Sequence, residues 1–197
     1  MAIAFPDRAF GGYIFDCDGT IADTMPLHYI AWNRAMEKFG GRFPEDLFYQ
    51  WGGKPTDVIV GELNVLFGTS MDVAETVRFK EDCYLQLVPE VKPIAPVLDF
   101  ARGLFGRAPL AVASGGHREL VHATLGALGI VELFSAIVCA EDYTNGKPAP
   151  DPFLEAAKRM GVAPAECVVF EDTQLGIQAA VAAGMSHVFV PTAPRGG

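Results

Sequence analysis

Apolar residues recur along this chain with two different periods, and the change between them divides it. The run Tyr13-Ile14-Phe15 is too short for a helix and reads as a buried strand that ends at Asp16. From position 27 to 39 the spacing is helical, with Leu27, Ile30, Ala31, Ala35 and Met36 on one face and Gly40-Gly41 as the stop. Two further helices are predicted over 56–67 and 72–87, the first closed by Gly68 and the second with Ser70 as a candidate cap. No strand-like run interrupts them, so 25–92 reads as a small all-helical unit.

Beyond position 93 the pattern alternates. Helices are predicted over 94–105, 117–128, 151–160 and 175–183. The short apolar runs 110–113, 136–139, 167–170 and 187–190 follow them in turn. Strands separated by helices of this length imply a parallel sheet with right-handed crossovers. The fold class is therefore α/β, a doubly wound parallel sheet with an all-helical cap inserted after the first strand. The core takes residues 1–24 and 93–197 and the cap 25–92, with joints near Pro26 and Pro93. An insertion rooted beside Asp16 is placed to act as a lid.

Composition narrows the partners. With 24 acidic against 15 basic residues the formal charge is −9, which argues against nucleic acid or an anionic membrane surface. No apolar stretch approaches the ~18 residues of a membrane span. Pro6, Asp7 and Arg8 interrupt any signal-peptide pattern. Cys17, Cys83, Cys139 and Cys167 form no C-x-x-C pair, so neither a zinc site nor a disulfide framework is indicated. A cytoplasmic monomer acting on a small phosphorylated metabolite is the expectation, and the ending Pro194-Arg195-Gly196-Gly197 reads as a frayed tail.

The chemistry collects where the predicted strands end. Asp16 and Asp18 leave the first strand on one side while Cys17 turns to the other, and Gly19 permits a tight turn. The second core strand delivers Ser114-Gly115-Gly116, a hydroxyl with free backbone amides that can cradle an anion. Alone, Ser114 could equally be a helix cap. Lys147 follows in the turn Asn145-Gly146-Lys147-Pro148, and Glu171-Asp172 closes a four-residue apolar run. Each has an ordinary reading alone, a solvated lysine and a helix start. Together they match phosphate-ester hydrolysis. A hard cation such as Mg²⁺ is held by a few carboxylates, and an aspartate can serve as nucleophile while a second moves protons. Lys147 and Ser114 would hold phosphoryl oxygens as charge shifts.

In its ordered set Asp16-Cys17-Asp18-Gly19-Thr20, Ser114, Lys147-Pro148 and Glu171-Asp172, the chain resembles the haloacid dehalogenase superfamily, in its β-phosphoglucomutase-like phosphatase branch. The resemblance implies Asp16 as nucleophile and Asp18 as acid/base. It also implies Mg²⁺ held by the Asp16 side chain, the Asp18 backbone carbonyl and Asp172, with Glu171 close by, and it places Thr20, Gly115 and Gly116 near the site. A dehalogenase is disfavoured, because halide leaves without a proton donor or magnesium. A β-phosphoglucomutase is the serious rival. The mutases clamp a second phosphate with an Arg in a cap loop, and here Gly52-Gly53-Lys54-Pro55-Thr56 puts Thr56 in its place. His28 and Lys80, however, fall where the mutases have a proton-relaying His and a substrate-binding Lys. The loop containing Lys54 is similar to that of bacterial fructose-1-phosphate phosphatases, so a sugar-phosphate phosphatase is the favoured reading. An inert phosphosugar-binding protein is a third class, disfavoured because both catalytic acids are present.

Overall fold

The computed structural model describes residues 3–191, so the tail at 194–197 lies outside the described residues. Five parallel strands form the central sheet: β1 (Gly12–Phe15), β4 (Leu110–Ala113), β5 (Ala136–Val138), β6 (Cys167–Glu171) and β7 (Ser186–Phe189), in the order β5-β4-β1-β6-β7. β1 lies in the middle, with Phe15 in register with Val112 on one side and Phe170 on the other. The order reverses at β1, and such a switch point opens a crevice at the carboxyl ends of the strands.

Both faces of the sheet are covered, which is why its strands are continuous apolar runs rather than alternating ones. Tyr13 and Phe15 point into one cluster with Leu110, Val112 and Phe170, under α5 (Ala95–Leu104) and α6 (Arg118–Ala127). Ile14, Ala111 and Val169 point the other way, against Phe153 of α7 (Asp151–Met160) and Ala179 of α8 (Gln174–Ala182).

The insertion consists of α1 (Met25–Phe39), α2 (Glu45–Gln50), α3 (Thr56–Phe67) and α4 (Val73–Leu87). It has its own cluster around Trp32, Phe43, Phe48 and Leu63. A two-stranded antiparallel ribbon, β2 (Ala22–Asp23) with β3 (Lys92–Pro93), ties the outgoing chain to the returning one. Pro26 sits inside the first turn of α1, where its missing N–H costs nothing, so on that side the chain crosses at β2. The cap of α4 is Asp72, not Ser70: the Asp72 carboxylate accepts the Glu75 N–H at 2.8 Å, two residues nearer the helix. Among the described residues no helix is long and apolar enough to cross a membrane.

Candidate active site

The tip of β1 carries the site. Asp16 extends the ladder by one bond, its N–H reaching the Phe170 carbonyl at 3.0 Å, and its side chain is buried. Cys17 turns into the core and Asp18 returns to the crevice side. The chain then folds tightly at Gly19, whose φ of 84° only glycine adopts readily. A Cβ there would lie 2.3 Å from Asp172 Oδ2, so glycine also makes room for that carboxylate.

Lys147 approaches from the loop after β5 and joins β1 to β6. Its Nζ donates to Asp16 Oδ1 at 2.5 Å and to Glu171 Oε2 at 2.7 Å, with all three side chains buried. The other Glu171 oxygen accepts the N–H and hydroxyl of Thr173, and Asp172 Oδ1 accepts the Thr20 hydroxyl at 2.9 Å. Oxygens of Asp16, Glu171 and Asp172 lie within 4.8 Å of one another. Three carboxylates therefore meet one ammonium, a formal excess of two negative charges in a buried place. Burial pushes the Asp16 carboxyl well above its ordinary range, against the pull of Lys147. Burial, then the neighbouring Glu171, pushes Asp172 up to about 7. An all-oxygen donor set with this charge imbalance fits a hard divalent cation.

Asp18 belongs to a different network. Its Oδ1 accepts the Thr24 hydroxyl at 2.7 Å and faces His28 Nε2 at 3.2 Å, and its Oδ2 accepts the Ser114 hydroxyl at 3.4 Å. Behind it, Lys80 Nζ lies 3.1 Å from His28 Nδ1. An ammonium only donates, so Nδ1 accepts, and Nε2 carries the hydrogen that points at Asp18. Burial would raise the Asp18 carboxyl, but His28 and then Thr24 outweigh it and bring it down to about 2. Burial, then the Lys80 charge, holds His28 below its ordinary value, and burial brings Lys80 down to about 8. The two aspartates of one turn are thus pushed in opposite directions.

Ser114 directly follows β4 and is buried. Its Oγ accepts the Gly116 N–H at 3.0 Å, which shapes Ser114-Gly115-Gly116 as a turn facing the crevice. It does not cap α6, whose first N–H, that of Arg118, goes to both oxygens of Glu141 at 3.0 and 3.1 Å. The crevice widens into a cavity of ≈ 530 Å³ between the strand tips and the helical insertion. His28, Lys54, Thr56 and Lys80 all line it. Lys54 is engaged within the cap: its Nζ donates to Glu62 at 2.6 Å and lies 4.3 Å above the Trp51 ring.

Several residues at the site gave no signal in the sequence. Thr24 opens α1 without capping it, because its hydroxyl is spent on Asp18. Thr173 caps α8 through the Gly176 N–H while holding Glu171, and Tyr143 donates its hydroxyl to the Ser114 carbonyl at 3.1 Å. Only the position of Thr173, directly after an acid pair, could have marked it as more than a loop polar residue.

Fold and site together define an α/β enzyme built for phosphoryl chemistry at strand tips. Residues 13–190 match the family of haloacid dehalogenase-like hydrolases. The chain is 40% identical over 182 residues to the fructose-1-phosphate phosphatase YqaB of Escherichia coli, covering 92% of this chain and 96% of that one. It is 29% identical over 184 residues to the β-phosphoglucomutase of Bacillus subtilis, covering 90% and 81% of the two. The solved structure of CbbY from Rhodobacter sphaeroides in complex with phosphate superposes with a TM-score of 0.82 at 24% identity, over 92% of this chain and 86% of that one. The chain belongs to the haloacid dehalogenase-like hydrolase family, and within it is a phosphoric monoester hydrolase.

Proposed function

We propose that the protein hydrolyses a small sugar phosphate of the fructose-1-phosphate kind through a phosphorylated Asp16. The observation that carries this reading is the opposed setting of the two aspartates. Asp16 is buried against Lys147 and the acid pair, while Asp18 is held apart by Thr24, His28 and Ser114. The contacts divide the roles: Asp16, beside the cation Lys147 and the acid pair, is set to attack phosphorus, and Asp18, beside His28 and Ser114, is set to carry the proton.

An Asp16 oxygen attacks phosphorus, the bond from phosphorus to the sugar oxygen breaks, and that oxygen takes a proton from Asp18. A water then attacks phosphorus, gives its proton to Asp18, and frees Asp16 and inorganic phosphate. In the resting protein Asp18 is ionised. A phosphate dianion entering beside it raises its affinity for a proton, which loads it for the first step. Lys147 and the Ser114-Gly115-Gly116 turn hold the phosphoryl oxygens, and the Lys147 ammonium pulls against the burial that raises the Asp16 carboxyl. Mg²⁺ held by Asp16, Asp172 and the Asp18 backbone carbonyl, with Glu171 behind them, would supply the missing positive charge between carboxylates and phosphate.

The cap, residues 25–92, acts as a lid and sets the choice of sugar through Lys54, Thr56 and Lys80. Its cations favour a monophosphate: Lys54 is already paired with Glu62 and Lys80 is turned to His28, so neither is free to clamp a second phosphate as a mutase needs. Four buried cysteines, none in a disulfide, suit a reducing, cytoplasmic setting. The test is phosphate release across sugar phosphates with Mg²⁺, paired with glucose phosphate isomerisation primed by a bisphosphate. Release without isomerisation is expected, and isomerisation without release would overturn the reading.

A further inference from the structure

The His28 imidazole is fixed on three sides, and the third has no part in the scheme above. The Tyr84 ring lies flat against it, with centroids 4.0 Å apart and planes 9° apart. Tyr84 and Lys80 stand four residues apart on α4, so one helix face offers both the ring and the ammonium that locate the imidazole. The Tyr84 hydroxyl in turn lies 2.7 Å from Thr124 Oγ1 on α6. The Thr124 hydroxyl donates to the Leu120 carbonyl at 2.8 Å, so Tyr84 is the donor in that pair. Both residues are buried. The result is a strut from a core helix, across the cap, to the residue that holds Asp18.

We infer that Tyr84 and Thr124 are positioning residues for proton transfer: they fix the plane of His28 and, through it, the Asp18 carboxyl that serves the leaving alcohol. A flat stack leaves the imidazole free to turn within its own plane, and the Lys80 contact removes that freedom. Neither Tyr84 nor Thr124 reaches the reacting atoms. Their loss should therefore appear only where protonation of the leaving group matters. The inference rests on Asp18 acting as acid/base in the proposed function.

The test compares kcat/KM for fructose 1-phosphate, whose alkoxide must be protonated, with that for p-nitrophenyl phosphate, whose phenolate leaves unaided. This parameter ends at release of the leaving group, so the later water step does not enter it. For Tyr84→Phe and Thr124→Val the sugar-to-aryl ratio is expected to fall about tenfold, and for Tyr84→Leu further still, toward the ~10²-fold lower bound for general acid catalysis. The fall should lie in kcat rather than KM. ¹⁵N spectra of the His28 ring provide a second measurement independent of turnover, with the Nε2–H signal of the parent broadened or lost in Tyr84→Leu. A folded Tyr84→Leu protein with an unchanged ratio and an unchanged His28 signal would overturn the inference. An Asp18→Asn control separates the two ideas: a full sugar rate in that variant refutes the acid/base reading, while its loss beside a normal Tyr84→Leu rate refutes the positioning role alone.

Discussion

Replacing Lys147 with methionine isolates the electrostatic problem the site has solved. The Lys147 ammonium stands between Asp16 and Glu171 at 2.5 and 2.7 Å, and none of the three side chains is more than 8% exposed. Methionine keeps most of the aliphatic stem, so little packing is lost, while the ammonium that lies 5.0 Å from the Phe153 ring centre goes. What disappears is the cation that touches two buried carboxylates. Breaking a buried pair by removing one partner costs about 3–5 kcal/mol. The cost of the second acid does not add in full, because a carboxyl left unpaired takes up a proton instead. For a protein of this size that is a fall in Tm on the order of 8–15 °C.

The pH dependence has a definite sign. Without Lys147 the acids titrate higher in the folded than in the unfolded chain, so the folded state binds more protons and stability falls as pH rises. The deficit should be larger near pH 8 than near pH 5.5. Millimolar Mg²⁺ should restore more of the Tm in the variant than it adds to the parent, since the acid cluster is then more negative. Thermal unfolding at the two pH values, with and without Mg²⁺, measures all of this. A variant that melts with the parent at both pH values would refute the assignment of Lys147 as counter-charge.

Two further perturbations reach the site from other sides. A methyl group at Gly176 would sit 2.0 Å from the Glu171 Cδ, so Gly176→Ala should displace Glu171, lower Mg²⁺ affinity and cut turnover by at least about tenfold, read by metal titration and phosphate release. Lys80→Met should stabilise the fold at neutral pH while damaging activity. A buried ammonium brought down to about 8 costs roughly 2–3 kcal/mol, at 1.36 kcal/mol per pH unit and less the lost His28 contact. The parent binds fewer protons folded than unfolded between about 8 and its ordinary value, so its stability rises through that window and the gap should close there. Denaturant unfolding at neutral and alkaline pH checks this, and a less stable variant at neutral pH would contradict it.

Much of this was legible in the chain because the signals were local. The run Leu110-Ala111-Val112-Ala113 could be only a short buried strand, and β4 occupies those residues. The helices at 56–67 and 151–160 begin and end where periodicity and glycine punctuation put them. The six residues of α2 and the two-residue strands of the ribbon were not legible, because fewer than two helical turns or a single strand repeat is too short to show a period. At the site, residues at strand tips stood out by type and position. Thr24, Tyr84 and Tyr143 act through partners 6, 40 and 29 residues away, and such pairings leave no local trace. Lys54 lines the cavity as a substrate ligand would, and its pairing with Glu62, 8 residues on, left no local trace either.

The central claim is that Asp16 takes the phosphoryl group. Acid quench during turnover of a sugar phosphate labelled in its phosphorus, followed by digestion and mass spectrometry, tests it directly. The account predicts a phosphoryl adduct on the peptide containing Asp16, absent in Asp16→Asn along with turnover. Continued phosphate release by a correctly folded Asp16→Asn protein, with no adduct in the parent, would contradict it.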